Sequence, residues 1–225
     1  MTFNAVLFDL DGTLLDTAGD MGAAANHVIE SLGLPALTEA VLQCTTSDGS
    51  YALLKAGIHP ELIEHHGLEQ LRRRMLHFYR NNLCHHTRPY DGVPALLDWL
   101  NMTRIPWGVV TNKPAALTDP LLAGLALFRH CGVTVSADTL PYKKPHPAPL
   151  LFAAEQLSVA PQRCIYIGDH KRDIEAGRAA GMTTVAAAWG YISAGEDPSH
   201  WQADHQHGTV FALTDWLKDT FDAKR

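Results

Sequence analysis

The stretch that decides the fold is AVLFDLDGT at residues 5–13. Its first four residues form an apolar run that is too short for a helix and ends abruptly at Asp9, which predicts a buried strand followed by a turn. Two similar runs follow, WGVV at residues 107–110 and CIYI at residues 164–167. Apolar runs without alternation, separated by helical patterns, indicate a parallel sheet that is buried on both faces. The sequence therefore predicts an α/β fold with a doubly wound, Rossmann-like parallel sheet.

The sequence around the second and third of these runs, residues 94–187, fits the same alternation of strands and helices. Helical patterns are bounded by proline or glycine, which start and end helices. Helices are expected at about residues 94–100, 114–127, 147–157 and 171–180, and a further strand at residues 183–187.

Residues 17–87 break this alternation. Apolar residues repeat at helical spacing over residues 21–32 and again over residues 71–79, with no strand pattern between them. We therefore expect an all-helical cap that covers the carboxyl ends of the strands. The predicted division is a core of residues 1–16 and 88–225 and a cap of residues 17–87.

Composition excludes several classes of protein. The chain has 225 residues, of which 46% are hydrophobic and 19% charged, which is ordinary for a globular protein. The 18 basic residues are outnumbered by 24 acidic ones, and a net charge of -6 opposes a nucleic-acid or anionic-membrane binder. No apolar run reaches the length of about 18 residues that a membrane span needs. We expect a cytoplasmic protein, without a secretory signal, that is a monomer or a homodimer.

Two carboxylates, Asp9 and Asp11, follow the first predicted strand. Residues two apart on an extended chain point to the same side, and crowded carboxylates cost free energy unless a cation or a shared proton relieves them. Gly12 lets the backbone turn, and Thr13 offers a hydroxyl group and an amide. Taken alone, the motif is equally compatible with a surface turn, in which Asp is a favoured residue.

A second acidic pair, Asp169 and Asp173, follows the strand predicted at residues 164–167. The spacing of four places both on one face if a helix begins there, although the acidic first turn of an ordinary helix gives the same pattern. Ligands of a doubly wound sheet bind at the carboxyl ends of its strands, so the two acidic pairs are expected to converge. Such hard oxygen ligands suit Mg²⁺, and the combined pattern predicts metal-dependent chemistry.

Two lysines are candidates for the same edge of the sheet. Lys144 directly precedes Pro145, which disfavours a helical conformation and leaves the lysine able to reach the site. Its neighbour Lys143 is expected in solvent. Lys113 follows the strand at residues 107–110, and it either contacts the substrate over the crevice or lies at the surface at the start of a helix.

In these motif residues the chain resembles the phosphatases of the haloacid dehalogenase superfamily that carry a helical cap between their first and second motifs. The similarity covers residues 5 to about 204, and its most specific element is DLDGT at residues 9–13. Within the superfamily the chain is similar to phosphoglycolate phosphatases. Through VVTNKP at residues 109–114 and the tail at residues 190–204 it is also similar to bacterial N-acetylmuramic acid 6-phosphate phosphatases.

The resemblance implies roles for the motif residues. Asp9 is the nucleophile that forms an aspartyl-phosphate, and Asp11 is the general acid and then the general base. Thr111 hydrogen-bonds a phosphate oxygen, and Lys144 steadies the nucleophile and the transferring phosphoryl group. Mg²⁺ is bound through Asp9, the backbone carbonyl of Asp11, and Asp169, with Asp173, Asn112, Gly12 and Thr13 in support.

The function implied is Mg²⁺-dependent hydrolysis of a small phosphorylated metabolite in the manner of a phosphoglycolate phosphatase. An N-acetylmuramic acid 6-phosphate or another sugar phosphate is the alternative substrate. Specificity is expected to come from the cap loop, and Asp48 stands where relatives often have a Gly-Gly pair. Its carboxylate opposes an acidic leaving group such as glycolate. The specificity candidates are Ser47, Asp48, Gly49 and Lys113.

Three other classes fit less well. A haloacid dehalogenase uses a nucleophile like Asp9 but has no use for the acid at Asp11. A signalling receiver carries its phosphorylated aspartate after an internal strand of the sequence and has no cap, whereas Asp9 follows the first strand of this chain. A non-catalytic binding protein on the same fold is opposed by the intact set of motif residues.

Overall fold

The computed structural model describes residues 3–193 and 195–222. The strands are β1 (Ala5–Phe8), β2 (Leu15–Asp16), β3 (Arg88–Pro89), β4 (Trp107–Val110), β5 (Val133–Val135), β6 (Cys164–Gly168), β7 (Thr183–Ala187) and β8 (His205–His207). The helices are α1 (Ala18–Glu30), α2 (Glu39–Thr45), α3 (Ser50–Gly57), α4 (Pro60–His66), α5 (Leu68–Asn81), α6 (Val93–Met102), α7 (Ala115–Ala123), α8 (Ala148–Gln156), α9 (Lys171–Ala179) and α10 (Val210–Asp222). Short 3-10 helices span Thr46–Asp48, Ala126–Phe128, Pro161–Arg163 and Pro198–Trp201.

Six strands form one parallel sheet in the order β5-β4-β1-β6-β7-β8. The strand β1 is internal and pairs with β4 on one side and with β6 on the other, so that Phe8 stands in register with Val109 and Ile167. A strand with two neighbours satisfies its backbone hydrogen bonds on both edges. The predicted doubly wound parallel sheet is confirmed.

Side chains alternate between the two faces of β1 and anchor it on both. Ala5 and Leu7 belong to a buried cluster with Leu150 of α8, while Phe8 packs edge-on against Trp107 with ring centroids 6.5 Å apart. Every residue of β1 is completely buried. The carboxyl end of this strand is therefore a rigid support for the residues that follow it.

The boundaries of some elements differ from the prediction. The strand at residues 183–187 matches β7, but the helix expected at 114–127 ends at Ala123. Leu125 is extended there, and a separate 3-10 helix follows. The strands β5 and β8, with three residues each, were not predicted.

The chain divides into two compact units. The first consists of the described residues of Met1–Leu15, Pro89–Gly190 and Asp197–Arg225, and it contains the six-stranded sheet. The second consists of the described residues of Asp16–Arg88 and Tyr191–Glu196, and it contains the helices α1 to α5. No helix in the described part of the chain has both the length and the hydropathy of a transmembrane segment.

The assignment of Tyr191–Glu196 to the second unit differs from the predicted division, which placed this segment in the core. Tyr191 is buried, and its hydroxyl group accepts hydrogen bonds from the amides of Thr17 (2.6 Å) and Ala18 (2.8 Å). The same hydroxyl donates to the Asp16 carboxylate at 2.5 Å. These contacts join residues far apart in sequence, so no local pattern reveals them.

Asp20 holds together the two ends of the helical unit. This buried residue of α1 accepts hydrogen bonds from the backbone amide of His86 (2.7 Å) and from the amide (3.0 Å) and hydroxyl (2.7 Å) of Thr87. A buried carboxylate is tolerated when hydrogen bonds replace its water. Asp20 therefore fixes the segment that leads into β3.

Candidate active site

Three of the four predicted carboxylates lie together at the carboxyl end of the sheet. Asp9 follows β1, Asp169 follows the neighbouring strand β6, and Asp173 lies in the first turn of α9. All three are buried, and one carboxylate oxygen from each lies within 4.8 Å of the others. Adjacent parallel strands end at the same edge, which is why residues distant in sequence meet here.

Lys144 bridges two of these carboxylates. Its Nζ lies 2.8 Å from Oδ1 of Asp9 and 2.7 Å from Oδ1 of Asp173, and the lysine side chain is fully buried. Asn112 clamps the backbone of this residue, because its amide side chain accepts from Lys144 N and donates to Lys144 O, both at 3.0 Å. The expectation that Lys143 lies in solvent agrees with its exposed side chain.

The two bridged carboxylates respond differently to the same lysine. Burial raises the pKa of Asp9, and the adjacent Lys144 ammonium offsets only part of that effect. Burial opposes ionisation of Asp173 as well, but the Lys144 ammonium and the Arg172 guanidinium outweigh it and hold the pKa of Asp173 below its usual range. Of these two carboxylates, Asp9 is therefore the one whose ionised form the surrounding charges stabilise less.

Tyr166 is a site residue that the sequence analysis missed. It belongs to β6, is completely buried, and directs its hydroxyl group into the same cluster. The hydroxyl oxygen lies 2.9 Å from Lys144 Nζ and 3.1 Å from Oδ1 of Asp173. A tyrosine within an apolar strand looks like an ordinary core residue, so its sequence context carries no signal of this role.

Asp11 is not one of the three clustered carboxylates, and it pairs with Lys113. The Nζ atom of Lys113 lies 2.8 Å from Oδ1 of Asp11. The lysine is 7% exposed, so its alternative placement at the surface is wrong. Thr111, also buried, accepts a hydrogen bond from the amide of Lys113 at 3.2 Å. Thr111 and Lys113 thus both lie at the end of β4, as their positions in the sequence predict.

Gly12 and Thr13 shape the backbone around Asp169. Gly12 has a φ of 85°, which only glycine adopts without strain. The hydroxyl of Thr13 donates to Oδ1 of Asp169 at 3.0 Å. A Cβ atom at Gly190 would lie 2.3 Å from both the Asp169 Cβ and the Gly12 carbonyl oxygen. Gly190 was not predicted as a site residue, but this close approach gives it a role in shaping the site.

The cap-loop candidates belong to the second unit. Ser47 and Asp48 lie in the 3-10 helix Thr46–Asp48, and Gly49, with a φ of 83°, precedes α3. Oδ2 of Asp48 accepts a hydrogen bond from Ser193 at 3.2 Å, a contact within this unit.

The acidic cluster fits a divalent cation. Three carboxylates share one buried space, and even with Lys144 and the nearby Arg172 both counted the negative charges outnumber the positive ones, which burial makes costly. Oxygen donors of this type are those that Mg²⁺ prefers. Asp9, Asp169 and Asp173 are therefore suited to hold such an ion.

The fold and the site together define a doubly wound α/β protein with a buried carboxylate cluster at the carboxyl ends of its central strands. The family profile described as haloacid dehalogenase-like hydrolase matches residues 6–187. The chain belongs to this family, and the predicted superfamily resemblance is confirmed. The protein is a hydrolase, as the sequence analysis predicts.

Relatives extend over nearly the whole chain. A phosphoglycolate phosphatase of Xanthomonas campestris pv. campestris (strain 8004) is 44% identical over 200 residues, 89% of this chain and 90% of that protein. An N-acetylmuramic acid 6-phosphate phosphatase of Pseudomonas aeruginosa is 41% identical over 204 residues, 91% and 90% of the two chains. The crystal structure of a predicted phosphoglycolate phosphatase from Haemophilus somnus 129pt superposes with a TM-score of 0.82 at 25% identity, covering 98% of this chain and 99% of that one.

Proposed function

We propose that the protein is a Mg²⁺-dependent phosphatase that hydrolyses a small phosphomonoester through an aspartyl-phosphate on Asp9. The observation that carries this proposal is the placement of a buried aspartate at the end of β1 with Lys144 Nζ 2.8 Å from its carboxylate. Relatives that are phosphatases over the same length support the same reaction.

The hydrogen bonds of Asp9 select the attacking oxygen. Among the described residues, its contacts from Leu10 N and Lys144 Nζ, both at 2.8 Å, fall on Oδ1. Oδ2 is therefore the oxygen that attacks phosphorus and forms the new P–O bond, while the bond from phosphorus to the leaving oxygen breaks. A positioned nucleophile of this kind divides one difficult hydrolysis into two easier steps.

Asp11 is the group that exchanges protons with the substrate and water. It donates a proton to the leaving oxygen in the first step and accepts one from the attacking water in the second. Water then displaces the Asp9 carboxylate and releases inorganic phosphate. Lys113 fixes one oxygen of Asp11 at 2.8 Å and so restricts where the other points.

We expect Asp9, Asp169 and the backbone carbonyl of Asp11 to hold Mg²⁺, with Asp173 in support, and the close approach of the three buried carboxylates supports this. When bound, the ion would supply positive charge that offsets the carboxylates and the transferring phosphoryl group. Lys144 supplies a fixed positive charge 2.8 Å from the Asp9 carboxylate, and the hydroxyl of Thr111 is a donor for a phosphate oxygen.

The substrate class we propose is a small phosphorylated metabolite. The first candidate is 2-phosphoglycolate, because the Xanthomonas relative is named as a phosphoglycolate phosphatase. An N-acetylmuramic acid 6-phosphate or another sugar phosphate is the second candidate. It is supported by the Pseudomonas relative, which is named as an N-acetylmuramic acid 6-phosphate phosphatase. All four cysteines are free, which fits the reducing cytoplasm that we propose as the location.

The experiment compares Asp9→Asn with wild type on p-nitrophenyl phosphate, 2-phosphoglycolate and N-acetylmuramic acid 6-phosphate. The variant is expected to lose kcat by at least about a thousandfold, because its amide cannot form the acyl phosphate. Asp91→Asn, at an exposed aspartate of the same unit, is the matched control and keeps full activity. Turnover by Asp9→Asn at the wild-type rate would reject the proposal, and the substrate with the highest kcat/KM identifies the substrate class.

A further inference from the structure

We propose that Tyr166 is a positioning residue for this chemistry: its hydroxyl group fixes the Lys144 ammonium between Asp9 and Asp173. The inference rests on the proposed phosphatase function and adds a residue to it. None of the roles assigned above requires a group at this position on β6.

The first line of evidence is the set of donors on Lys144. An ammonium group has three N–H donors and no acceptor. Nζ has three oxygen partners: Asp173 Oδ1 at 2.7 Å, Asp9 Oδ1 at 2.8 Å and the Tyr166 hydroxyl at 2.9 Å. Tyr166 therefore takes the third donor and completes the set. Without it, a fully buried ammonium would keep one donor unpaired, which costs free energy and frees the group to move.

The second line of evidence is the restraint on the hydroxyl itself. Its single proton has two acceptors in reach, Asp173 Oδ1 at 3.1 Å and the carbonyl oxygen of Val110 at 3.2 Å. The ring is buried below α9, where a Cβ atom added at Gly177 would lie 3.3 Å from Tyr166 Cδ1. The strand and the helix thus hold the ring in place, and the hydroxyl is a fixed point rather than a mobile one.

The test is Tyr166→Phe, which removes one oxygen atom and keeps the ring. We expect kcat to fall about tenfold to a hundredfold, because one hydrogen bond to a charged group is lost. KM is expected to change by less than about twofold. Tyr79→Phe, which alters a buried tyrosine of α5 in the other unit, is the control and keeps the wild-type kcat. All variants are assayed below their melting transitions, which circular dichroism determines.

A double-mutant cycle separates positioning from a general structural effect. If Tyr166 acts through Lys144, then Tyr166→Phe has no further effect on kcat in a Lys144→Met background. The slow variants are measured in single-turnover experiments with enzyme in excess. Additive losses, an unchanged kcat in Tyr166→Phe, or a rise in KM alone would overturn the inference. In each of those cases an active wild type leaves the phosphatase proposal standing, whereas an inactive wild type would reject the proposed function itself.

Discussion

The ammonium group of Lys113 lies 2.8 Å from Oδ1 of Asp11, although 102 positions separate the two residues in sequence. The side chains are 5% and 17% exposed, so the pair is largely shielded from water. Partly buried ion pairs are screened less by salt than exposed ones. Lys113 thus fixes the orientation of the residue to which we assign proton transfer.

Replacing Lys113 by Met is expected to lower kcat/KM for p-nitrophenyl phosphate by about tenfold or more, because Asp11 loses a charge-assisted hydrogen bond. Steady-state kinetics measure the effect. Lys143→Met is the matched control, since that lysine is exposed beside the site and has no role in it. Equal kinetics for Lys113→Met and wild type would contradict the positioning of Asp11 by Lys113.

Removal of divalent cations is expected to abolish activity, because the buried carboxylates Asp9, Asp169 and Asp173 repel a phosphate dianion on their own. Dialysis against EDTA followed by addition of Mg²⁺ measures the loss and the recovery. Binding to the folded state also raises its stability, by about 2.7 kcal/mol at a concentration a hundred times the Kd, which a thermal melt detects. Full turnover after exhaustive chelation would count against the metal site.

Gly190→Ala is expected to weaken Mg²⁺ activation, because its Cβ would overlap the Cβ of Asp169 and the carbonyl of Gly12 at 2.3 Å. Asp169 must then move, and the Mg²⁺ concentration for half-maximal activity should rise by about tenfold. Gly208→Ala serves as the control, since among the described residues, its two chain neighbours aside, no heavy atom lies within 4 Å of its added Cβ. If both variants had wild-type Mg²⁺ dependence, the close packing at Gly190 would have no bearing on the site.

Asp20→Ala is expected to destabilise the helical unit by about 2–4 kcal/mol, since two backbone amides and the Thr87 hydroxyl lose their common acceptor in a buried place. Urea unfolding measures the change. The comparison is Glu64→Ala, at an exposed residue of α4, which should stay within about 0.5 kcal/mol of wild type. If both variants lost a similar free energy of unfolding, the stabilising role assigned to Asp20 would be contradicted.

The lowered pKa of His207 predicts that the free energy of unfolding depends on pH. Burial, followed by the neighbouring His205, lowers the pKa of His207 below its ordinary value of 6.5. The unfolded chain therefore binds the proton more readily, so the stabilising contribution is present above about pH 6.5 and is lost as the pH falls through the folded-state pKa. His207→Asn should show a smaller decrease in Tm between about pH 7.5 and pH 5 than wild type. The exposed His85 gives the control variant His85→Asn, and an unchanged decrease in His207→Asn would reject the assignment.

The central strands could be predicted from sequence because burial on both faces leaves a continuous apolar run, as in β1 and β4. The two edge strands lack that signal. The strand β8 reads His-Gln-His with two exposed residues, and β5 is only three residues long. Edge strands have one neighbour, so their pairing is decided by the completed sheet rather than by their own composition.

The same distinction applies to the site. Asp9 and Asp169 were predictable because each follows a recognisable strand, and Asp9 also belongs to the specific motif DLDGT. Tyr166 and Gly190 were not, because a tyrosine in a strand and a glycine after one have many ordinary explanations. Their roles depend on atoms contributed by other strands, Lys144 in one case and Gly12 in the other.

The internal position of β1 has a consequence for how the enzyme is made. The strand that bears Asp9 precedes both of its partners, β4 and β6, with the whole helical unit between it and the first of them. During synthesis Ala5–Phe8 leaves the ribosome with neither edge paired, and contacts of such large sequence separation form slowly. A nascent chain that stops before β6 has the proposed nucleophile, Asp9, but lacks the second neighbouring strand of β1. Catalytic competence is therefore expected late, only after most of the polypeptide has been translated.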